Sequence, residues 1–190
     1  MRLSTWLSVW LMQVKEKYGD KFSIEEMTKL SRIYDLALKL SLTLIYFRDK
    51  INDAYELIGD NIDELGNLDN YARDVQKEIE ESGIRFEKER KVFSREEVYF
   101  WEFKPEFFIK SILINGLSMK YKNKTLIIAE DNGRYFEVSA RRYDGKVNLV
   151  ELLKRLTQGF EATSGGHMCA AGATILPRDI AEFRERVRRL

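Results

Sequence analysis

The segment Ser164-Gly165-Gly166-His167-Met168-Cys169-Ala170-Ala171-Gly172-Ala173 holds the only imidazole of a 190-residue chain. Paired glycines let a backbone turn tightly and bring its N–H groups close to a ligand. The small residues that follow predict a short helix beginning near His167, whose N-terminus would add positive partial charge. Glycine turn, helix start and imidazole together make an anion cradle in which His167 donates to a phosphate oxygen. The same residue types also suit a structural loop whose histidine bonds to backbone at a helix start, and spacing leaves both readings open. Cys169 reads as a small buried filler, because nothing basic adjoins it to lower its pKa. Phe100, Trp101 and Phe103 read as core rather than as a platform for stacked bases.

Composition narrows the classes. With 32 Lys and Arg against 31 Asp and Glu, the formal charge is +1, which excludes a polyanion binder that works by whole-molecule charge. One Cys excludes an intrachain disulfide, and one Cys with one His excludes a Cys/His zinc site. Apolar residues at 44% and charged residues at 33% allow a sizeable core under an ionised surface. No apolar run reaches the ~18–20 residues needed to span a bilayer; Phe107–Leu117 is interrupted by Lys110. The expectation is a cytoplasmic protein without membrane contact.

The elements that position the glycine segment fall into two halves. Residues 1–83 read as helical. Leu3, Leu7, Trp10, Leu11 and Val14 form one stripe, and Ser23 with Glu26 has capping-box spacing. Helical period then runs from Met27 to Ile58, as one long helix or two with a kink, and a third helix runs from Asp69 to Gly83. Residues 84–190 change pattern. Val98–Phe103 and Thr125–Ala129 read as strands, and Asp131-Asn132-Gly133 as a hairpin turn into an alternating strand, 134–141. Helices are expected after Pro105, with Phe108, Ile112 and Leu113 on one face, after Asn148, and after Pro177 and Asp179; a further strand covers Ala173–Ile175. The fold class is α+β (α/β-like): an N-terminal helical segment, then a mixed sheet with flanking helices. From Lys104 onward there are sixteen bases and ten acids, a local net of +6. Lys120, Lys122, Lys124, Arg141 and Arg142 are candidates for a positive face, against the alternative of a solvated surface of mixed ion pairs. Arg184, Arg186, Arg188 and Arg189 read as helix C-terminal bases that complement the dipole.

Gly165-Gly166-His167 with Ala170-Ala171-Gly172, preceded by Ser139-Ala140-Arg141 and Val147-Asn148-Leu149, resembles the C-terminal DHH-associated domain of DHH-family phosphoesterases. That family includes RecJ-like single-strand exonucleases, oligoribonucleases and cyclic-dinucleotide phosphodiesterases. The resemblance covers residues 85–190 and departs from the family pattern at Ser164, usually glycine, and at Met168, commonly proline. It implies that Ser139 and Arg141 contact substrate phosphate or backbone, and that Gly165, Gly166 and His167 cradle the phosphate near the reacting centre. Arg142 is adjacent but faces the other way on a strand and is not assigned.

The resemblance also implies a division of labour. An N-terminal domain with an Asp-His-His motif would carry two divalent metals, Mn or Mg. This chain has one His, no such motif, no catalytic residue and no metal or cofactor of its own. It is expected to be the substrate-binding portion, 84–190, of a RecJ-like nuclease acting on single-stranded DNA or RNA. Residues 1–83 would be a connector or an insertion of the archaeal RecJ-like type, able to dock a replication or repair protein. The alternatives are a non-catalytic accessory module in replication or repair, and an oligoribonuclease or cyclic-dinucleotide phosphodiesterase.

Overall fold

The computed structural model describes residues 24–48, 50–58, 68–93 and 97–190. The expected stripe from Leu3 to Val14 and Ser23 of the capping box lie outside them. The chain divides into two compact units, one ending at Glu81 and the other spanning Ser82–Leu190.

In the first unit, the helical period from Met27 to Ile58 is two helices, α1 (Ile24–Phe47) and α2 (Ile51–Ile58). Leu42, Ala54, Leu68, Ala72 and Val75 are buried, and Tyr46, Phe47 and Tyr71 meet with ring centroids 4.8–5.1 Å apart. The third helix, α3 (Asp69–Glu89), does not stop at Gly83. Apolar period carries it through that glycine to Phe86, which is fully buried, so burial outweighs the glycine's poor propensity.

The second unit is a mixed six-stranded sheet in the order β1-β2-β3-β4-β6-β5. Its strands are β1 (Lys91–Phe93), β2 (Val98–Phe103), β3 (Thr125–Asp131), β4 (Phe136–Arg141), β5 (Thr163–His167) and β6 (Ala170–Ile175). Among the described residues only β2 and β3 pair in parallel. They are linked through α4 (Lys110–Lys120), and α5 (Leu149–Leu156) and α6 (Ile180–Arg188) follow.

Residues directly opposite one another in paired strands share a face, and alternate residues switch faces. One face carries Phe100, Ile127, Val138, Ala140, Ala171, Ala173 and Ile175, and packs on Leu149, Leu152, Leu153 and Leu156 of α5 and Phe183 and Val187 of α6. This is the main core. The opposite face carries Tyr99, Trp101 and Phe103 of β2, then Leu126, Ile128 and Glu130 of β3. Over these strands it is covered by the last turns of α3, where Phe86 meets Trp101 at 5.9 Å and Glu89 accepts from the Trp101 indole, and by the buried side of α4. Phe100, Trp101 and Phe103 are therefore core.

The sequence-expected helix start at Pro105 moves to Lys110. The carboxylate of Glu130 on β3 accepts the Lys110 backbone N–H at 2.9 Å and satisfies that helix end, leaving Phe108 outside the helix. Asn148 caps α5 as expected, accepting from the N–H groups of Val150 and Glu151. Asp131 and Asn132 accept N–H groups within the turn into β4, with Gly133 at φ +87°.

Candidate functional site

The glycine segment is a β-hairpin. No helix begins near His167: Thr163–His167 and Ala170–Ile175 pair in antiparallel register around Met168-Cys169. The tip is fixed from behind, since the Met168 carbonyl accepts from Leu149 N–H and the Cys169 carbonyl from Arg142 N–H. Cys169 is half-buried rather than buried. The hairpin replaces the expected helix-dipole cradle because β6 finds two strand partners at once. At Gly172 an added Cβ would stand 3.3 Å from the Val138 carbonyl oxygen, and the pairing of β6 on both edges overrides weak local preference.

Register then decides which residues meet. Arg141 lies opposite Ala170, and Ala170 opposite His167; one row along, Ser139 lies opposite Gly172, and Gly172 opposite Gly165. Ser139, Arg141, Gly165 and His167 therefore share one face in two adjoining rows. Two strand spacings, about 10 Å, separate β4 from β5. Gly166 departs from the expected set. It pairs with Ala171 and so belongs to the core face. A Cβ there would stand 2.4 Å from the Ala170 carbonyl oxygen and 2.7 Å from the Ala171 Cα, at φ +138°, so packing by itself requires the glycine. In a hairpin closed by two residues, Ser164 and Gly166 turn their N–H and C=O groups to the free edge, and those N–H groups are what Gly166 can offer a ligand.

Beside these rows the sheet face is uncovered. A cleft of about 470 Å³ is lined by Lys110, Glu137, Val138, Ser139, Thr163, Ser164, Gly165, Gly172, Ala173 and Thr174. The bare glycines of its middle row leave backbone as floor. Of the expected site residues, Ser139 and Gly165 line the cleft, and Arg141 and His167 form the next row beyond it.

Electrostatics separate the two adjacent arginines. Arg142 is buried and fully engaged: Nε and Nη2 donate to the two oxygens of Asp144 at 2.7 and 3.0 Å, and Nη1 reaches Glu97 at 2.9 Å and the Thr125 hydroxyl at 3.1 Å. The hydrogen bonds to Asp144 raise its pKa, with burial opposing, and hold Asp144 down at about 2. Arg141 is half-buried. Its Nε donates to Asn115 Oδ1 of α4 at 3.1 Å and its Nη1 to the Ala140 carbonyl at 2.9 Å, and among the described residues no carboxylate pairs with it. Burial lowers its pKa, partly offset by Tyr143.

The five-residue positive face is not continuous. Lys120 pairs with Glu87, Lys124 with Glu97, and Arg142 as above. The C-terminal arginines also do more than complement a dipole. Arg184 forms a two-point pair with Glu102 of β2, and Arg186 caps the Leu156 and Gln158 carbonyls beyond α5 while lying over Phe160.

Sequence reading missed Lys110, Asn115, Glu137, Thr163 and Thr174. Lys110 had a signal, a lone charge inside an apolar run. Glu137 had one in the Glu137-x-Ser139-x-Arg141 alternation, which places all three on one face.

The family model that matches this chain is the DHHA1 domain, over residues 108–190. These residues are a DHHA1 domain. RecJ from Thermus thermophilus, in complex with Mg2+, superposes on 94% of the chain with a TM-score of 0.64 at 13% identity, over 28% of its own length. The exonuclease RecJ bound to manganese superposes on 93% with a TM-score of 0.65 at 14% identity, over 43% of its length. At such identity the likeness is one of fold, and the chain spans less than half of either RecJ. No curated protein matches the sequence. Among the described residues of the DHHA1 domain and the preceding helices, no group of three or more His, Cys, Asp or Glu could hold a metal ion, and no helix is long and apolar enough to cross a membrane.

Proposed function

We propose that this DHHA1 domain is the substrate-gripping part of a RecJ-like DHH phosphoesterase acting on single-stranded DNA or RNA. Ser139, Arg141 and His167 hold nucleotide phosphate, and Gly165 and the edge N–H of Gly166 admit it close to the backbone. The observation that carries this reading is the shared face. Four of the five residues stand in two adjoining rows beside an open cleft, and Arg141 is positioned by an amide rather than neutralised by a carboxylate. A guanidinium left without an acidic partner is suited to two-point phosphate binding. RecJ structures hold magnesium or manganese; here those metals, and the water they activate, are assigned to a DHH domain outside this chain.

The test is fluorescence anisotropy on a labelled single-stranded oligonucleotide across a salt series. Affinity should fall steeply with salt, and His167→Ala and Arg141→Ala should each weaken binding with the fold intact. Unchanged affinity in both variants would overturn the reading, and metal-dependent cleavage by residues 1–190 would overturn the division of labour. Residues 1–83 are proposed to dock a replication or repair partner. Because α3 continues to Glu89, a deletion should end at residue 68 to leave that helix entire. Partner capture that survives this deletion would count against the docking role.

A further inference from the structure

The cleft has two chemically different ends. At one stand Ser139 and, one row on, Arg141 and His167; at the other stand Glu137, Thr174 and Thr163, opposite one another in a third row. Glu137 is four residues from Arg141 on the same strand, roughly 13 Å at the usual rise per residue. Its carboxylate is fixed by Lys110, whose Nζ lies 2.7 Å from Oε2. The lysine side chain is 11% exposed and the glutamate 28%, so the acid is the more accessible of the pair. The second carboxylate oxygen, Oε1, has no hydrogen-bond partner among the described residues. The volume, about 470 Å³, lies in the range of small-molecule sites and suits one nucleotide.

Resting on the phosphate-gripping reading above, we infer that Glu137 reads the base of the bound nucleotide, with Oε1 accepting a hydrogen bond from an exocyclic amino group. The orientation follows from charge. A carboxylate repels phosphate, so the phosphate takes the Arg141 end beside Gly165, and the base lies over the bare backbone of Gly172 toward Glu137. An ionised carboxylate only accepts hydrogen bonds. It therefore favours the exocyclic amino group of cytosine, adenine or guanine and disfavours the keto oxygen that uracil places where cytosine has its amine. Lys110 acts as a positioning residue: it orients Glu137 and screens its charge, so that the carboxylate can stand in a cleft that admits an anion.

The experiment is calorimetric titration of the full chain with CMP and UMP, which differ where Glu137 would read them. The native chain should bind CMP about tenfold more tightly than UMP, which is the worth of one good polar contact. Glu137→Gln keeps the side-chain volume and an oxygen for Lys110 and should bring the ratio to within about twofold of unity. Glu137→Asp keeps the charge but withdraws it by one methylene and should give an intermediate ratio, which guards against the amide variant failing to fold. His167→Ala should weaken both nucleotides equally and leave the ratio unchanged. Equal affinity for CMP and UMP in the native chain, or a ratio that survives in Glu137→Gln, would overturn base reading while leaving the phosphate grip standing. Binding of neither nucleotide would overturn both.

Discussion

The guanidinium of Arg141 is aimed by the side-chain amide of Asn115, Nε to Oδ1 at 3.1 Å, across the gap between the last residue of β4 and the middle of α4. An amide oxygen orients a cation without cancelling its charge. The neighbouring Arg142, closed in by Glu97 and Asp144, has its charge consumed by structure. Asn115→Ala should leave the fold intact and weaken oligonucleotide binding about threefold, less than the tenfold or more expected of Arg141→Ala. Arg141→Ala should also lower the salt slope by about 0.7 for a single strand. Anisotropy at four or more salt concentrations measures both, and Arg142→Ala should instead show its loss in thermal unfolding.

The two glycines at the hairpin should separate fold from function. Gly165 has open space where a Cβ would stand, on the face of the cleft. Gly165→Val should therefore fold with a nearly native melting temperature and yet block nucleotide binding. Gly166→Ala meets backbone atoms at 2.4 and 2.7 Å and should cost more than about 2 kcal/mol. Thermal melts paired with binding assays on both variants check this. A Gly165→Val chain that binds normally would show that the ligand avoids the glycine floor.

Gly83 sits inside α3 at an ordinary helical φ, with nothing within 4 Å of the position an added methyl group would take. Gly83→Ala should stabilise the protein by about 0.5–1 kcal/mol, through helix propensity and a less flexible unfolded chain. Urea denaturation of the two proteins measures the difference, and a loss of stability would mean that the helix is interrupted there in solution.

Asp144 is expected to contribute to acid sensitivity behind the hairpin. The two-point hydrogen bond from Arg142 holds it at about 2, below the roughly 3.9 of a free aspartate. A carboxyl depressed on folding stabilises the native state above its unfolded pKa, and that contribution is lost as pH falls through the folded value. The window is therefore pH ~4 down to ~2. Glu87 acts in the same direction: burial would raise its pKa, but hydrogen bonds from Lys120 and Tyr121 outweigh that and lower it. Melting temperature followed across that range should drop less steeply in Asp144→Asn than in the native chain, and identical acid profiles would remove Asp144 from this role.

Much of the fold could be read in advance where local chemistry and tertiary packing agree. Asn148 caps α5 because its own side chain reaches two N–H groups of the next turn, and Val98–Phe103 is a strand because its aromatic and β-branched residues are buried on both faces. Elements depart from their local pattern where a distant residue sets the outcome. Glu130 starts α4 at Lys110, Phe86 draws α3 past Gly83, and pairing with β4 turns an alanine and glycine run from the expected helix into β6.

The sequence by itself determined which groups are available: a single imidazole, a Ser-x-Arg strand, two glycines in tandem and no Cys/His metal set, because residue type and local period are written directly in the chain. Only the tertiary structure decided which of them share a surface. A strand's side chains alternate, so the β4–β6–β5 register placed Ser139, Arg141, Gly165 and His167 together with Glu137 and sent Gly166 to the core, while the start of α4 brought Lys110 to Glu137, twenty-seven residues away.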